Sequence, residues 1–323
     1  MKSFVGMLVA VLATAGIRAG VAADGEPPVP LAASEDGVAI AQDTDCADMQ
    51  VIDCCRCDPV CRVRANALWM RLSRPNDAVL VTDFTPGGVV LLNASEFKFG
   101  AECGPEIAIV RQINDDWNLE GRFFRIDGWN ATDTTIAGSY RSELTDVEIN
   151  GRRRINDFWS LLLGFRYLGL DEGLTIQQGV NFGFATFTHN IRAVNDLYGL
   201  QIGADMNIWS RGRLSIEGLV KAGVYGDHAV NRTHIGLTNS AYSADSSASA
   251  DRAAFAGEMS ITGVYRLGKH LSLRGGYQYL WLAGVARASD QVAVSDPLAG
   301  TAAVSFKGSP SYDGAFVGLE FAR

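Results

Sequence analysis

The chain has 323 residues, a formal net charge of −8 and a mean hydropathy of +0.06. An acidic balance excludes a polyphosphate backbone as the main partner, so no nucleic acid is expected. No internal stretch approaches the roughly 20 consecutive apolar residues of a membrane helix, which leaves strands as the only way to cross a bilayer.

The first 23 residues have the layout of a secretory signal. Lys2 is the positive start, Phe4 to Ile17 is mostly apolar, and Val21-Ala22-Ala23 is a small-residue cleavage site ahead of Asp24. No cysteine follows the apolar run closely, which argues against a lipid anchor. Residues 24–61 are a different material. Pro27, Pro28 and Pro30 open a segment of small and acidic residues with no sustained period, read as a flexible periplasmic leader. It ends in Cys46, Cys54, Cys55, Cys57 and Cys61. Export favours disulfides among these and Cys103. The close Cys54-Cys55-Arg56-Cys57 spacing leaves zinc open as an alternative, although no metal or cofactor is expected. Cys103 shares its parity with Phe97, Phe99 and Ile107 and is expected to face lipid, which would leave the cluster with an odd thiol for an intermolecular bond.

From residue 62 onward the pattern has a period of two, the signature of strands with unlike faces. Trp117, Leu119, Gly121 and Phe123 alternate with Asn118, Glu120 and Arg122. Trp159, Leu161, Leu163, Phe165 and Tyr167 alternate with Ser160, Leu162, Gly164 and Arg166. Tyr198 to Ile208, Leu214 to Val224 and Phe255 to Tyr265 behave alike. The longest run, Leu271 to Val285, sets Leu273, Tyr277, Tyr279 and Trp281 against Ser272, Arg274 and Gln278. Runs of this length cross a bilayer when tilted. Ala315, Val317, Leu319 and Phe321 close the chain in the same manner.

Tight turns are expected near residues 114–116, 156–157, 210–212 and 268–270, and long polar loops at 73–96, 129–138, 171–190, 227–251 and 286–310. Short links alternating with long ones belong to outer-membrane barrels, with the short turns in the periplasm. Trp117, Trp159 and Trp209 lie beside the tight turns, and Tyr167 and Trp281 toward the other end, as two interfacial belts would require. The predicted fold is therefore all-β, a single antiparallel up-and-down transmembrane barrel over 62–323. It has about ten strands, within a range of 8–12.

The face opposite the lipid carries both charges. Glu102, Glu106, Glu120, Asp146, Glu148, Glu217, Glu258 and Glu320 face Arg122, Arg166, Lys221 and Arg274 across the expected lumen, with Lys98 and Arg152 further bases. Arg274 and Gln278 are expected to neighbour Glu258 and Glu320. Such a lining tunes ion passage if the lumen is open. About ten strands give an interior nearer the filled eight-strand limit than the aqueous sixteen-strand one.

The stretches Asp53-Cys54-Cys55-Arg56-Cys57-Asp58-Pro59, Ala67-Leu68-Trp69-Met70-Arg71, residues 100–105 and Gly314-Ala315-Phe316-Val317-Gly318-Leu319 give the chain a resemblance to the planctomycete-type outer-membrane β-barrel porins. In these a signal peptide and a cysteine-rich leader precede one barrel. The resemblance implies a bacterial outer-membrane location and a possible pore, and it supplies no catalytic residue. The partners expected are the bilayer, the barrel-assembly machinery, and neighbours in a disulfide-linked or non-covalent oligomer. The function expected is porin-like or structural and non-catalytic, with at most passive passage of small solutes or ions. Two alternatives stand beside it. One is a lipid or peptide hydrolase using Asp227-His228 or Thr233-His234 with Asn239-Ser240 in an outer loop, and the other is a disulfide-linked envelope scaffold.

Overall fold

The computed structural model describes residues 60–82, 88–133, 136–179, 186–238 and 242–323. The signal sequence, Cys46, Cys54, Cys55 and Cys57 fall outside these residues.

Fourteen strands form among the described residues, ten of them in one closed barrel. The barrel strands are β1 (Cys61–Leu72), β4 (Ala101–Gln112), β5 (Trp117–Asp133), β6 (Gly138–Arg154), β7 (Trp159–Gly179), β8 (Thr186–Arg211), β9 (Leu214–Leu237), β10 (Ser243–Arg266), β11 (Leu271–Ala283) and β14 (Ser311–Ala322). Each is antiparallel to its chain neighbour, and β1 closes the ring by pairing with both β4 and β14. At the turn end every barrel strand is paired on both sides, whereas β5 beyond Phe124 and β10 before Phe255 are paired on one side only, because β4 and β11 are short. Two small hairpins lie outside the ring: β2 (Val79–Thr82) with β3 (Val90–Asn93), and β12 (Ser295–Asp296) with β13 (Thr301–Ala302). A four-residue helix, α1 (Ala288–Gln291), stands between β11 and β12.

One end of the barrel carries the tight turns, the start of β1 and the end of β14; we call it the turn end. Asn114 and Asn156 build two of these turns, each accepting backbone N–H bonds from the residues that follow. The third is centred on Gly212, whose φ of 59° suits glycine.

The outward face is apolar over a belt starting at this end. On β8 it runs from Trp209 through Ile202 and Leu200 to Tyr198, and on β9 from Leu214 through Val220 to Val224, all exposed. Eleven residues of tilted strand span about 25 Å, the height of a membrane barrel's apolar band. Trp117, Trp159 and Trp209 border the belt at the turn end, and Trp69, Tyr198 and Trp281 at the other.

Beyond the belt the structure corrects the expected loops. Residues 129–133, 171–179, 186–190, 227–237 and 243–251 are paired strand. The two-residue period persists there, but the chemistry of the faces swaps. On β8 the outward residues are now Asp196, Arg192 and Asn190, and the inward ones Leu197, Ala193 and Ile191. Water bathes the outside, so the apolar residues turn in. β5–β10 thus rise well above the short wall of β11, β14, β1 and β4. Gly128, with φ of 108°, permits a register shift between Ile126 and Trp129 that returns Trp129 to the interior. The segment 73–96, expected as a loop, holds the β2–β3 hairpin and a 3-10 turn capped by Asn93.

Candidate functional site in the barrel interior

The interior is filled in successive layers. Nearest the turn end, Arg64 bonds Glu320 at 2.7 Å and Arg152 bonds Glu120 at 2.6 Å and also Asp205. Arg274 bridges Glu320 at 3.0 Å and Glu217 at 3.2 Å.

The middle layer is a closed cage. Arg122 reaches Glu106 at 2.6 Å, Glu258 at 2.7 Å and Glu148 at 2.9 Å. Arg166 holds Asp146 through Nε at 2.8 Å and Glu258 at 2.8 Å. Lys221 donates to Glu148 at 2.7 Å and sits 3.0 Å from Glu258. Neutral amides complete it: Asn66 donates to Glu106, Gln201 and Asn150 donate to Glu148, and Gln278 accepts from Arg122. Arg166, Lys221, Asp146, Glu148 and Glu258 are each 3% exposed or less. Charges so stripped of water persist only when each is paired.

Asp146, Glu148 and Glu258 bring carboxylate oxygens within 4.8 Å of one another, close enough to hold a metal ion. Arg122, Arg166 and Lys221 already occupy the space among them. Three resident cations, Arg122, Arg166 and Lys221, bond the four cage carboxylates, Glu106, Asp146, Glu148 and Glu258, and leave the cluster poorly suited to a divalent cation.

Above the cage the layer is apolar. Leu68, Met70, Phe124, Ile126, Trp129, Leu144, Leu168, Leu170, Leu280 and Leu282 are all buried. Trp129 donates its indole N–H to the Met70 carbonyl at 2.9 Å and packs on Tyr312 with centroids 5.2 Å apart. The segment 284–310 then folds against the inner face of the tall wall. Gly284, at φ 81°, turns the chain off β11. Asn195 clamps Ala286 at both its N–H and its carbonyl, at 2.7 and 2.8 Å. Arg287 pairs with Glu172 at 3.1 Å, with Tyr140 bonding the same carboxylate. Asn231 holds Ser295 Oγ at 2.7 Å and the Ala303 carbonyl at 2.9 Å.

All twelve charged residues assigned to the lumen stand on inward positions. Eleven take part in the two lower layers, and Glu102 is half-buried on β4 without joining them. Arg274 meets Glu320 as expected, whereas Gln278 is held by Arg122 and not by Glu258. Lys98 is exposed ahead of β4 and lines nothing. Cys103 points outward on β4, but Phe97 and Phe99 are buried, because the strand phase starts only at Ala101. Among the described residues Cys61 and Cys103 form no disulfide; Cys61 lies opposite Arg111 and Cys103 opposite Trp69, far apart along the same ladder. Sequence reasoning missed Arg64, Asn66, Asn150, Gln201 and Asp205 as network members, although the parity of their strands marks them. It also missed the Glu172–Arg287 and Asn195–Ala286 contacts, each of which has a partner in the stretch 286–310 read as a loop. The histidines placed in a loop are on β9: His228 bonds Asp251 at 2.7 Å and His234 bonds Asp245 at 2.8 Å, both on the outward face.

Among solved structures the chain is similar to the outer membrane protease OmpT of Escherichia coli, at 10% identity and a TM-score of 0.44, covering 81% of this chain and 96% of that one. It is similar to the translocator domain of the autotransporter NalP of Neisseria meningitidis, at 10% identity and 0.45, covering 81% and 88%. The toluene transporter TodX of Pseudomonas putida gives 11% identity and 0.35, covering 82% and 92%. No curated protein matches. The family described as "Putative beta barrel porin-7 (BBP7)" matches residues 136–305, more than half of the chain and five of the six strands of the tall wall. With its closed ten-strand barrel and lipid belt, this chain belongs to the BBP7 family of outer-membrane β-barrel porins.

Proposed function

We propose that this protein is a sealed, non-catalytic barrel of the bacterial outer membrane, porin-like in fold and structural in the state described. One observation carries this reading: the interior is blocked twice in succession, by a cage of paired charges and by an apolar layer, with side chains at or near zero exposure in both. Ions do not cross a layer of buried leucines and aromatics without first displacing it. Segment 284–310 lies above these layers, so any passage requires its movement together with the Glu172–Arg287 pair. The turn end faces the periplasm and the tall wall faces outward in this proposal, consistent with the usual asymmetry of short and long ends. Insertion by the barrel-assembly machinery and oligomers linked through the leader's cysteines are part of the same proposal.

Planar-bilayer recording of the purified protein tests the seal. The expected trace is flat at moderate voltage. Steady ohmic steps in the wild type would overturn it. The hydrolase alternative has an observation of its own, the two His–Asp pairs on β9 and β10. They are six residues apart on β9, about 20 Å along the strand, so they do not form one site. Lipid or peptide hydrolysis lost in His228→Ala or His234→Ala would replace the non-catalytic reading.

A further inference from the structure

Above the lipid belt, a cavity of ≈ 790 Å³ opens across all six strands of the tall wall. The side chains that line it at outward positions form two registered rows. One row runs Asn130, Arg141, Gly173, Arg192, Arg232 and Ser247, each opposite the next across the ladder. A space shared by outward residues of six neighbouring strands requires that the outer face be concave here.

The charges in this row are unbalanced. Arg192 is held by Asp171. The flanking acids are also engaged, Glu143 with Arg125 at 3.0 Å and Asp245 with His234 at 2.8 Å. Arg141 and Arg232 have no hydrogen bond or ion pair among the described residues. Arg232 stands directly opposite Arg192, a like-charged cross-strand pair that costs stability when nothing bridges it. Arg141 lies over Gly173: a Cβ there would come within 2.7 Å of its Nε, so the glycine leaves room for the guanidinium to cross toward Arg192. Three guanidiniums thus border one cavity with two of them unpartnered, beside hydroxyl and amide groups such as Ser139 and Asn190.

Guanidiniums in this arrangement match the paired oxygens of phosphate and carboxylate. Position selects the source. The cavity is on the outward face, on the same strands as the belt, and Arg192 is six residues beyond Tyr198, about 20 Å along a tilted strand. A group reaching it comes from the outer leaflet's surface, above the acyl chains, and never from the lumen. We propose that this cavity binds the phosphate- or carboxylate-bearing saccharide headgroup of an outer-leaflet glycolipid of the lipopolysaccharide class. The proposal rests on the outward orientation given above.

The full-length protein in detergent is titrated with lipopolysaccharide carrying a phosphorylated core, and with the same preparation after dephosphorylation. Tighter binding of the phosphorylated form is expected. The double variant Arg141→Ala/Arg232→Ala should weaken it roughly tenfold or more, the loss of one or two charge-assisted hydrogen bonds. Heat-modified mobility on gels reports that the variant's barrel remains intact. Binding by the double variant equal to wild type overturns the site. Displacement by millimolar inorganic phosphate overturns the glycolipid assignment in favour of a free anion. Orientation is read separately, by labelling Ser247→Cys on intact cells with a membrane-impermeant reagent, so a failure there is told apart from a failure to bind.

Discussion

At the level of the lipid belt the strands are apolar outside and charged inside; above it they are polar outside and apolar inside. The same strands do both. On β9, Val220 and Val224 face lipid while Lys221 enters the cage, and a few residues on, Arg232 faces water while Ile235 is buried. A β-strand keeps its two faces, so each segment needs only to place apolar residues on the face that water does not reach. In lipid, that face is outward, and the ten-strand interior must then be filled with something else. Here it is filled with acids and bases that bond one another. Above the lipid, the interior becomes an ordinary core, roofed by segment 284–310.

The lower interior should break most sharply. Arg166→Met removes one cation from a cage whose acids cannot reach water, leaving Asp146 unpaired and Glu258 with Arg122 and Lys221. The expected loss is about 3–5 kcal/mol, as for other broken buried pairs. Urea unfolding in micelles measures it. A loss under about 1 kcal/mol, typical of solvated pairs, would mean that water reaches the cage.

The outward faces can be compared by the same substitution at two heights. Val220→Arg places a charge near the middle of the belt and should cost about 2–4 kcal/mol. Val230→Arg, on the same face of the same strand but above the belt, should stay within about 0.5 kcal/mol. Equal costs at the two positions would sink the assignment of the belt's upper border.

The sequence makes the lower half legible because lipid forces a regular rule: aromatic and aliphatic residues at every second position, charges between. Parity alone places Glu106, Arg122, Glu148, Lys221 and Glu258 on one surface. It does not say which acid meets which base, since that depends on the barrel's shear and on side chains reaching across it: Arg122 meets Glu258 although 136 residues separate them. The upper half was illegible for a different reason. Ser243 to Arg252 is rich in serine, alanine and aspartate, a composition that reads as loop, and the swap of faces at the belt looks like the end of a strand. Pairing with β9 holds it extended all the same. Glu172 has the parity of Arg166 on β7, yet its partner Arg287 comes from a segment with no period at all.

In the upper interior, Glu172→Gln keeps the shape of the side chain while removing the charge that faces Arg287 and the Ala288 N–H. The expected cost is about 1–3 kcal/mol, that of a buried donor left poorly satisfied. Most of it should appear locally, as faster hydrogen exchange in 284–310 with the cage residues unchanged. Equal protection of 284–310 in variant and wild type would show that Glu172 does not anchor this segment.

The smallest effect is expected where a charge pair stands in water. His228 lies outside the membrane-spanning part of β9, beyond Val224 on the outward face. Its hydrogen bond to Asp251 raises its pKa above the ordinary histidine value, and the nearby carboxylate charges add to the shift against slight desolvation. The folded-state pKa exceeds the unfolded one, so the stabilising contribution is complete below the unfolded value of about 6.5 and fades as pH rises through the raised midpoint. Histidine NMR titration should give a midpoint above that reference, and Asp251→Asn should bring it back. Added salt should shrink the shift, because exposed charges are screened, whereas the caged charges should be nearly indifferent to salt. A midpoint for His228 at or below the ordinary value would remove the pair, and with it the contrast between charges held in water and charges held in the cage.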